Sequence, residues 1–287
     1  MEKFKAMQQE PFSTARTLSQ ALPYLQRYDK AIIVIKLGGH AMSDSKAISN
    51  FARDVVLMKQ CNVNPIIIHG GGPMINNFLK KMNIETAFVD GKRVTDTETI
   101  DIIEMILCGH VNKNLVSAIN FQGGKAVGLS GKDANLMTCT PDQPKFGMVG
   151  KPSNINPAIL KNFIESDFIP VIAPIGIGLD KKTYNVNADT VAGAIASSMK
   201  ADRLLLLTDV PGVKNRQGEL LSKLSVQEVK ILLKDGTIMG GMIPKASTAV
   251  EAVENGVRAV VVLDGRAQNA CLLELFTEHG IGTLIKL

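Results

Sequence analysis

The nine residues from Pro65 to Pro73 read PIIIHGGGP and join an apolar run directly to three glycines. Consecutive apolar residues predict a strand that is buried on both faces, as strands of parallel sheets are. Proline suits the first position of a helix, so Gly70–Gly72 should form the turn between that strand and a helix. The free N–H groups and the positive dipole end of such a helix favour an anion. An ordinary strand-to-helix turn is the alternative, although it does not need three consecutive glycines.

Similar apolar runs, several of them rich in valine and isoleucine, alternate with helical patterns along the chain. The predicted strands are 31–37, 65–69, 126–129, 168–173, 203–208 and 259–263. Strands that alternate with helices predict an α/β fold with a mainly parallel sheet and helices on both faces. The stretch 135–150 contains Pro141, Pro144 and Gly147 and predicts a hairpin or flap instead.

Four short signals mark helix boundaries. Thr95–Glu98 and Ser225–Glu228 match the capping box, in which a hydroxyl and a carboxylate satisfy N–H groups at a helix start. Asp235-Gly236 and Asn255-Gly256 are typical of helix ends.

A helical arm is predicted ahead of the first strand, within residues 1–29. Between residues 11 and 28, apolar side chains recur at spacings of three and four, which indicates an amphipathic helix. Pro23 should kink or split this helix. Two interpretations are open, because the arm can pack on its own domain or contact a second subunit.

Composition excludes several classes of function. The formal charge is +5 and the basic residues are scattered, so a nucleic-acid surface is not expected. No apolar run approaches the ~20 residues of a membrane span, and the polar N-terminus lacks the core of a secretory signal. The four cysteines are far apart and no histidine clusters near them, so neither disulfides nor a protein-bound metal is expected. We therefore expect a cytoplasmic protein without membrane attachment.

Ligands of open parallel sheets bind beyond the carboxyl ends of the strands. The first predicted strand ends in Lys36–Gly39, and the fifth runs into Thr208–Gly212. Together with Gly70–Gly72, these turns indicate a ligand whose phosphates approach the backbone closely. The alternative for Lys36 is that it reaches solvent at the sheet edge.

Two charged residues stand at predicted helix starts. Lys245 follows the stretch Gly240–Pro244, and a lysine in the first turn of a helix opposes the helix dipole. That placement is favourable when an anion lies nearby, although the cost at an exposed site is small. Asp189 opens another helix, where an aspartate complements the dipole and needs no further role.

Several common signatures are absent. The sequence has no G-x-x-x-x-G-K-[ST] loop, no protein-kinase motif set, no G-x-G-x-x-G after a strand and no G-x-S-x-G. P-loop enzymes, protein kinases, dinucleotide dehydrogenases and α/β-hydrolases are therefore not favoured.

Six motifs together resemble the N-acetylglutamate kinase branch of the amino acid kinase family. They occur in that family's order, as Lys36–Gly39, His69–Gly72, Asp90–Asp96, Tyr184–Asp189, Thr208–Val213 and Gly240–Lys245. The contexts of Arg93 and Asn185 separate the pattern from those of carbamate, aspartate and uridylate kinases. The resemblance implies a three-layer αβα sandwich with a mainly parallel central sheet at residues 30–287. Residues about 30–180 would bind the amino-acid substrate and about 181–287 the nucleotide.

The resemblance also implies an activity and a set of site residues. The γ-phosphoryl group of ATP, which carries Mg²⁺, would be transferred to the side-chain carboxylate of N-acetyl-L-glutamate. Lys36 and Lys245 would flank the phosphoryl group, and Asp189 would hold both lysines. Phosphoryl and carboxylate oxygens would accept from the N–H groups of Gly71, Gly72, Gly38 and Gly39. The substrate would also be held by Arg93 and Asn185. The nucleotide would be lined by Asp209, Val210, Gly212, Val213 and Lys214.

The arm resembles that of arginine-inhibited members, which interlace such arms into hexamers. Feedback inhibition in arginine biosynthesis is therefore expected, with Glu274, Gly280 and Gly282 as allosteric candidates. Val261 and Asn269 stand where those relatives usually carry histidine, so the strength of inhibition is not predicted. A dimer or hexamer is expected, and whether a PII signalling protein also binds is left open.

Two competing interpretations accompany the resemblance. A glutamate 5-kinase would also form an acyl phosphate, but the motifs around Arg93 and Asn185 argue against it. A catalytically silent arginine sensor is disfavoured because Lys36, Asp189 and Lys245 are all present.

Overall fold

The computed structural model of the 287-residue chain describes residues 2–38, 42, 44–89 and 92–287. Its α-helices are α1 (Glu2–Arg27), α2 (Ser45–Gln60), α3 (Gly72–Lys81), α4 (Thr97–Glu104), α5 (Asn112–Phe121), α6 (Ala158–Glu165), α7 (Ala188–Met199), α8 (Val226–Lys234), α9 (Met242–Glu254) and α10 (Ala270–Phe276). Its strands are β1 (Ile32–Leu37), β2 (Asn64–His69), β3 (Phe88–Val89), β4 (Lys92–Arg93), β5 (Ala126–Ser130), β6 (Met137–Pro141), β7 (Val149–Ile155), β8 (Ile169–Ala173), β9 (Ile175–Gly178), β10 (Thr183–Val186), β11 (Arg203–Thr208), β12 (Lys223–Ser225), β13 (Val260–Asp264) and β14 (Thr283–Lys286).

An eight-stranded sheet forms the centre, in the order β12-β14-β13-β11-β1-β2-β8-β5. The six strands predicted from apolar runs lie side by side in it and run parallel, which confirms that prediction. At one edge, β14 pairs antiparallel with β13, and β12 pairs parallel with β14. The sequence did not predict these two strands, because KLS and TLIK lack a run of consecutive apolar residues.

The sheet has a separate apolar core on each face. Ile33 and Ile35 of β1 belong to a core shared with α2, α5 and α10, whereas Val34 belongs to one shared with α7, α8 and α9. Successive side chains of a strand point to opposite faces, so a strand between two cores needs an uninterrupted apolar run. Helices on both faces confirm the three-layer α/β sandwich.

The pairing of β1 with its two neighbouring strands shows where the candidate site lies. In the parallel register, Lys36 lies opposite Ile68 of β2 on one side and Leu206 of β11 on the other. The carboxyl ends of β1, β2 and β11 therefore meet at one edge, and the turns that follow these strands are neighbours.

A small barrel adjoins the sheet. β6 and β7 form the antiparallel hairpin that was predicted for 135–150, although β7 continues to Ile155. With β9 and β10 they close a four-stranded barrel. Asn185 of β10 lies between Val149 of β7 and Ile175 of β9, so the barrel fixes its position.

Three of the four helix-boundary predictions are confirmed. Ser225 and Glu228 form the capping box at the start of α8. Asp235 and Asn255 follow the last residues of α8 and α9, as the Asp-Gly and Asn-Gly pairs predicted.

The fourth signal marks a true helix start, but the predicted cap residue is wrong. Asp96 rather than Thr95 caps α4, because its Oδ1 accepts the N–H of Thr99 at 2.7 Å. Thr95 is buried, and its hydroxyl donates to the carbonyl oxygen of Arg93. A carboxylate one residue further on thus supplies the cap that the Thr-x-x-Glu pattern suggested.

A π-helical segment, Met105–Val111, joins α4 to α5. Each of its turns holds more residues than an α-helical turn, which changes the face on which later side chains emerge. Such segments are rare in proteins overall, but those that occur are often found at functional sites. No pattern in the sequence predicts this segment.

The N-terminal helix occupies most of the predicted arm at residues 1–29. α1 begins at Glu2 rather than near residue 11, and it continues through Pro23 without being split. Leu18 and Leu22 of its apolar stripe are 64% and 52% exposed. The arm meets its own domain near its end, where the Tyr28 ring packs edge-on against Phe276. Its own domain therefore does not cover the stripe at Leu18 and Leu22. No helix in the described part of the chain is long and apolar enough to cross a membrane.

Candidate active site

Asp189 lies between two lysines from distant parts of the chain. Its Oδ1 lies 3.0 Å from Lys36 Nζ, and its Oδ2 accepts a hydrogen bond from Lys245 Nζ at 2.9 Å. The side chain of Asp189 is 5% exposed, and those of Lys36 and Lys245 are 10% and 15% exposed. Charges so poorly exposed to water act more strongly on a neighbouring ion than surface charges do. The structure brings together the three residues that were predicted to be catalytic.

Three elements converge on this cluster. Lys36 is near the carboxyl end of β1, whereas Asp189 and Lys245 lie in the first turns of α7 and α9. The two helices begin just before these residues, at Ala188 and Met242. Two helix N-termini therefore direct their positive ends toward the same place, which favours an anion there.

The two lysines control the charge of Asp189. Burial by itself raises the pKa of this carboxyl, but the charges of Lys36 and Lys245 hold its pKa below the usual value. Asp189 is therefore ionised at neutral pH. Two ammonium groups against one carboxylate leave an excess of positive charge, and each ammonium has further N–H groups to donate.

The glycine turn after β2 lies beside the end of β1. The N–H of Gly70 donates to the carbonyl oxygen of Leu37 at 3.0 Å. A Cβ atom on Gly71 would overlap the side chain of Leu107, whereas one on Gly72 would meet no atom within 4 Å. α3 begins at Gly72, so this open position stands at a helix N-terminus, as predicted.

Gly38 extends β1 into the same region. A Cβ atom there would lie 2.8 Å from the carbonyl oxygen of Leu207 and 3.6 Å from Lys36 Nζ. A larger residue would therefore collide with β11 next to the lysine. Gly39, the other glycine predicted here, lies outside the described residues.

A cleft of about 630 Å³ opens beside the cluster. All four residues predicted to bind the substrate line it, namely Gly71, Gly72, Arg93 and Asn185. The chain neighbours of Asp189 and Lys245 line it too, among them Ala188, Thr190 and Pro244. The cleft thus joins the predicted substrate residues to the charged cluster.

Arg93 is a buried cation with neutral partners. Its guanidinium donates to Thr86 Oγ1 at 2.6 Å and to Asn76 Oδ1, and it lies 4.6 Å from the centre of the Phe88 ring. The residue is 6% exposed, and burial lowers its pKa from the ordinary value. Because the partners in the described part of the chain are a hydroxyl, an amide and a ring, the guanidinium can pair with the carboxylate of a ligand.

The residues predicted to line the nucleotide follow β11 at the same sheet edge. Asp209 and Lys214 are exposed and Val210 is partly exposed. Gly212 has a φ of 153°, and a Cβ atom there would overlap the Thr283 hydroxyl. This turn therefore requires glycine both for its conformation and for its close approach.

Val213 differs from the other predicted nucleotide residues. It is 1% exposed, its N–H donates to Thr283 Oγ1 at 2.9 Å, and its carbonyl oxygen accepts the N–H of Leu221. The backbone groups of Val213 are thus used inside the protein, and its contribution is to shape the loop.

The three predicted allosteric residues also lie together. Glu274 Oε2 accepts the N–H groups of Ile281 and Gly282 at 2.8 and 3.2 Å. Gly280 has a φ of 61°, and a Cβ atom there would lie 2.6 Å from the same oxygen. Burial raises the pKa of Glu274, and the two amides act in the opposite direction.

Three residues of the site were missed in the sequence. Asn187 lines the cleft and caps α7 by accepting the N–H groups of Asp189 and Thr190. An asparagine directly before an apolar helix is a recognisable cap signal. Asn76 and Thr86, which orient Arg93, carry no signal because both lie outside the motif that contains it.

Comparison with known proteins agrees with this geometry. A sequence model of the amino acid kinase family matches residues 31–264. The acetylglutamate kinase of Ruegeria pomeroyi is 60% identical over 284 residues, which cover 99% of both chains. The acetylglutamate kinase of a Jannaschia species is 58% identical over 98% of both chains.

A solved structure shares the fold. The N-acetylglutamate synthase of Neisseria gonorrhoeae, in complex with coenzyme A and N-acetyl-glutamate, superimposes with a TM-score of 0.84 at 25% identity. The match covers 95% of this chain but only 63% of the synthase, so the chain spans less than two thirds of that protein. From the family match and the full-length relatives, this chain belongs to the amino acid kinase family, in its acetylglutamate kinase branch.

Proposed function

We propose that this chain transfers the γ-phosphoryl group of ATP to the side-chain carboxylate of N-acetyl-L-glutamate. The observation that carries the proposal is the pair of lysines joined through Asp189, beside a cleft that also holds the glycine turn and Arg93. The full-length relatives named acetylglutamate kinase support the choice of substrate.

The reaction brings two anions together. A carboxylate oxygen of the substrate attacks the γ-phosphorus, and a new O–P bond forms as the bond to the β,γ-bridging oxygen breaks. That oxygen keeps the electron pair and leaves with ADP. The attacking carboxylate is already ionised at neutral pH, since an unperturbed side-chain carboxyl has a pKa of about 4.3, so a general base is not needed.

Positively charged residues of the chain can offset the repulsion between these two anions. Lys36 and Lys245 lie where two ammonium groups can flank the transferred phosphoryl group, and Asp189 holds both in place. Phosphoryl transfer depends mainly on positioning and on charge stabilisation of this kind. The N–H groups of Gly71 and Gly72 would complete the site from the end of the neighbouring strand β2.

Arg93 and Asn185 are proposed to hold the amino-acid end of the substrate. The planar fork of a guanidinium suits the α-carboxylate, and Asn76 and Thr86 fix its plane. Asn185 lines the same cleft from β10. The substrate lobe, about residues 30–180, is thus proposed to end close to this asparagine.

The nucleotide is proposed to lie over the turn that follows β11. Asp209, Val210 and Lys214 are accessible there, and Gly38 and Gly212 let the backbone come close. Mg²⁺ would arrive bound to the phosphates of ATP and neutralise part of their charge. In the described part of the chain, no three His, Cys, Asp or Glu side chains are grouped to hold a metal.

Trapping the acyl phosphate with hydroxylamine tests the proposed activity. Hydroxamate should form only when ATP, Mg²⁺ and N-acetyl-L-glutamate are all present. Product from free glutamate instead would favour a glutamate 5-kinase, and no product from either acid would favour a silent sensor.

Regulation by arginine and assembly through the arm are proposed as well. The carboxylate of Glu274 is partly buried beside Gly280 and Gly282, and it can pair with the guanidinium of arginine. The exposed side chains of Leu18 and Leu22 support contact of α1 with another subunit, in a dimer or hexamer. A cytoplasmic location, where ATP is available, belongs to the same proposal, and binding of a PII protein is left to experiment.

A further inference from the structure

A buried polar pair lies beneath the glycine turn. His69, the last residue of β2, is 0% exposed, and Asn112, the first residue of α5, is 1% exposed. Asn112 Nδ2 lies 3.2 Å from His69 Nε2, and His69 Nδ1 lies 2.8 Å from the carbonyl oxygen of Gly70. A buried histidine and a buried asparagine are costly unless their hydrogen bonds are made, so this pair has a defined arrangement.

The surroundings of Asn112 fix its orientation. Its Nδ2 donates to the carbonyl oxygen of Val171 at 2.9 Å, and its Oδ1 accepts from Lys113 Nζ at 3.2 Å. A flipped amide would set its oxygen against the Val171 oxygen and its nitrogen against the Lys113 ammonium. Nδ2 can only donate, so His69 Nε2 must accept and the ring proton must be on Nδ1.

The Nδ1–H group of His69 therefore donates a hydrogen bond to the carbonyl oxygen of Gly70. Burial lowers the pKa of His69 to about 4, and the charge of Lys113 acts in the same direction. The ring is neutral at physiological pH and keeps this single tautomer.

The hydrogen bond has a consequence for the next N–H group. The carbonyl of Gly70 and the N–H of Gly71 belong to one peptide unit, which is planar and trans, so the two groups point in opposite directions. Because the carbonyl points to the buried ring, the N–H of Gly71 points away from it. Gly71 itself lines the cleft. Without such a hold, consecutive glycines would sample many orientations.

The π-helical segment explains how Asn112 reaches the histidine. Met105–Val111 ends directly before Asn112, and its widened turns set the face on which Asn112 emerges. Leu107 in the same segment lies against Gly71, where a Cβ atom would overlap it. The segment thus packs against the glycine turn at Gly71 and ends directly before the residue that bonds to His69.

We propose that His69 is a positioning residue for phosphoryl transfer, which holds the Gly70 carbonyl so that the Gly71 N–H is aimed into the cleft, and that Asn112 fixes its tautomer. This role rests on the proposed function, because it assumes that the Gly71 N–H meets a phosphoryl or carboxylate oxygen. His69 acts only through Gly71 and does not line the cleft.

Three variants test this role. His69→Leu removes the donor to Gly70, whereas His69→Asn keeps an N–H group near the position of Nδ1. Leu115→Ala is the matched control, because Leu115 is equally buried and lies one turn beyond Asn112 in α5. We expect His69→Leu to lower kcat by about 10- to 100-fold, the scale of a small misplacement of a reacting group, with a smaller change in KM for N-acetyl-L-glutamate. His69→Asn should restore part of kcat, and Leu115→Ala should lower the melting temperature with kcat within about twofold.

The possible outcomes separate this role from the proposed function. No turnover by the wild type would overturn the proposed function and this role with it. An active wild type and a folded His69→Leu variant with full kcat would overturn this role alone, as would an equal loss of kcat in Leu115→Ala.

A spectroscopic measurement on the wild-type protein does not depend on activity. In wild-type protein labelled with ¹⁵N-histidine, His69 should show a protonated Nδ1 and an unprotonated Nε2 from about pH 5 to 8. His69→Asn assigns the signal among the four histidines. A protonated Nε2, or titration near the ordinary pKa of about 6.5, would overturn the proposal.

Discussion

Lys245 donates to Asp189 although the two residues are 56 positions apart, and the bond joins the first turns of α7 and α9. A lysine in a first helical turn opposes the helix dipole. Asp189 compensates part of this cost and leaves the remaining N–H groups of the ammonium for a ligand. The position of Lys245 at the start of α9, which is unfavourable for the helix, thus serves ligand binding at the site.

We expect Lys245→Ala to lower turnover by about 10²–10³-fold, the scale for losing one contact to charge that develops in the transition state. Hydroxamate formation at saturating substrates measures the effect. Lys230→Ala is the control, since Lys230 is an exposed lysine that pairs with Glu254. Near-normal turnover of folded Lys245→Ala would remove this residue from the mechanism.

Arg93→Lys should raise KM for N-acetyl-L-glutamate by about 10- to 100-fold while kcat changes less. Lysine keeps the charge, but it cannot donate to Asn76 and Thr86 and still offer a planar fork to a carboxylate. Because the lost contact is made equally in the ground state and the transition state, the effect belongs in KM. KM for ATP serves as the internal reference, and Arg53→Lys, at an exposed position of α2, as the control. A loss confined to kcat would contradict this role.

The sequence predicted the sheet well because burial on both faces imposes uninterrupted apolar runs, as in β1 and β11. It missed β12 and β14, which lie at the edge and need no such run. The amphipathic pattern covered only residues 11–28 of the arm, since an exposed helix such as α1 need not show its full length as an apolar stripe.

Within the candidate site, residues carried by glycine-bearing or charged motifs could be found from the sequence. Asn76, Thr86 and the His69–Asn112 pair could not, because their roles arise from tertiary contacts that no single motif contains. The π-helical turns that deliver Asn112 leave no periodic signature over so short a stretch.

Arginine should inhibit the enzyme with a sigmoidal dose response, and Glu274→Gln should raise the half-inhibiting concentration at least about tenfold. The substitution removes the charge that would pair with the guanidinium of arginine. A tenfold change corresponds to a loss of roughly 1.4 kcal/mol in the free energy of arginine binding. Glu278→Gln is the control, because Glu278 is exposed just beyond α10. A flat response of the wild type at millimolar arginine would count against the regulatory proposal.

Replacing both Leu18 and Leu22 by serine should shift the protein toward smaller assemblies in light-scattering measurements. Each leucine is more than half exposed, so burial in a subunit contact would contribute about 1.5–3 kcal/mol per side chain. Thermal stability of the kinase domain should change little, since these side chains cover little of it. An unchanged mass would exclude this stripe from the contact.

Asp54 should make the stability depend on pH in an unusual direction. It is 3% exposed on α2 and accepts the N–H groups of Cys271 and Leu272 at the start of α10. Burial raises its pKa to about 6, above the ordinary value of 3.8, and the amides only partly oppose this. The folded state therefore holds this proton more tightly than the unfolded chain, so its contribution is full below about pH 4 and is lost as pH rises through 6.

Asp54→Asn keeps an oxygen for the two amides and removes the titration. Relative to the wild type, the variant should gain stability between about pH 4 and 7, by up to roughly 3 kcal/mol for a shift of about two pKa units. Urea unfolding across this pH range measures the difference, with Asp101→Asn at an exposed position of α4 as the control. Because every other titrating group is common to both proteins, the difference curve isolates Asp54. A difference that stays constant with pH would mean that this carboxyl is not held protonated by burial.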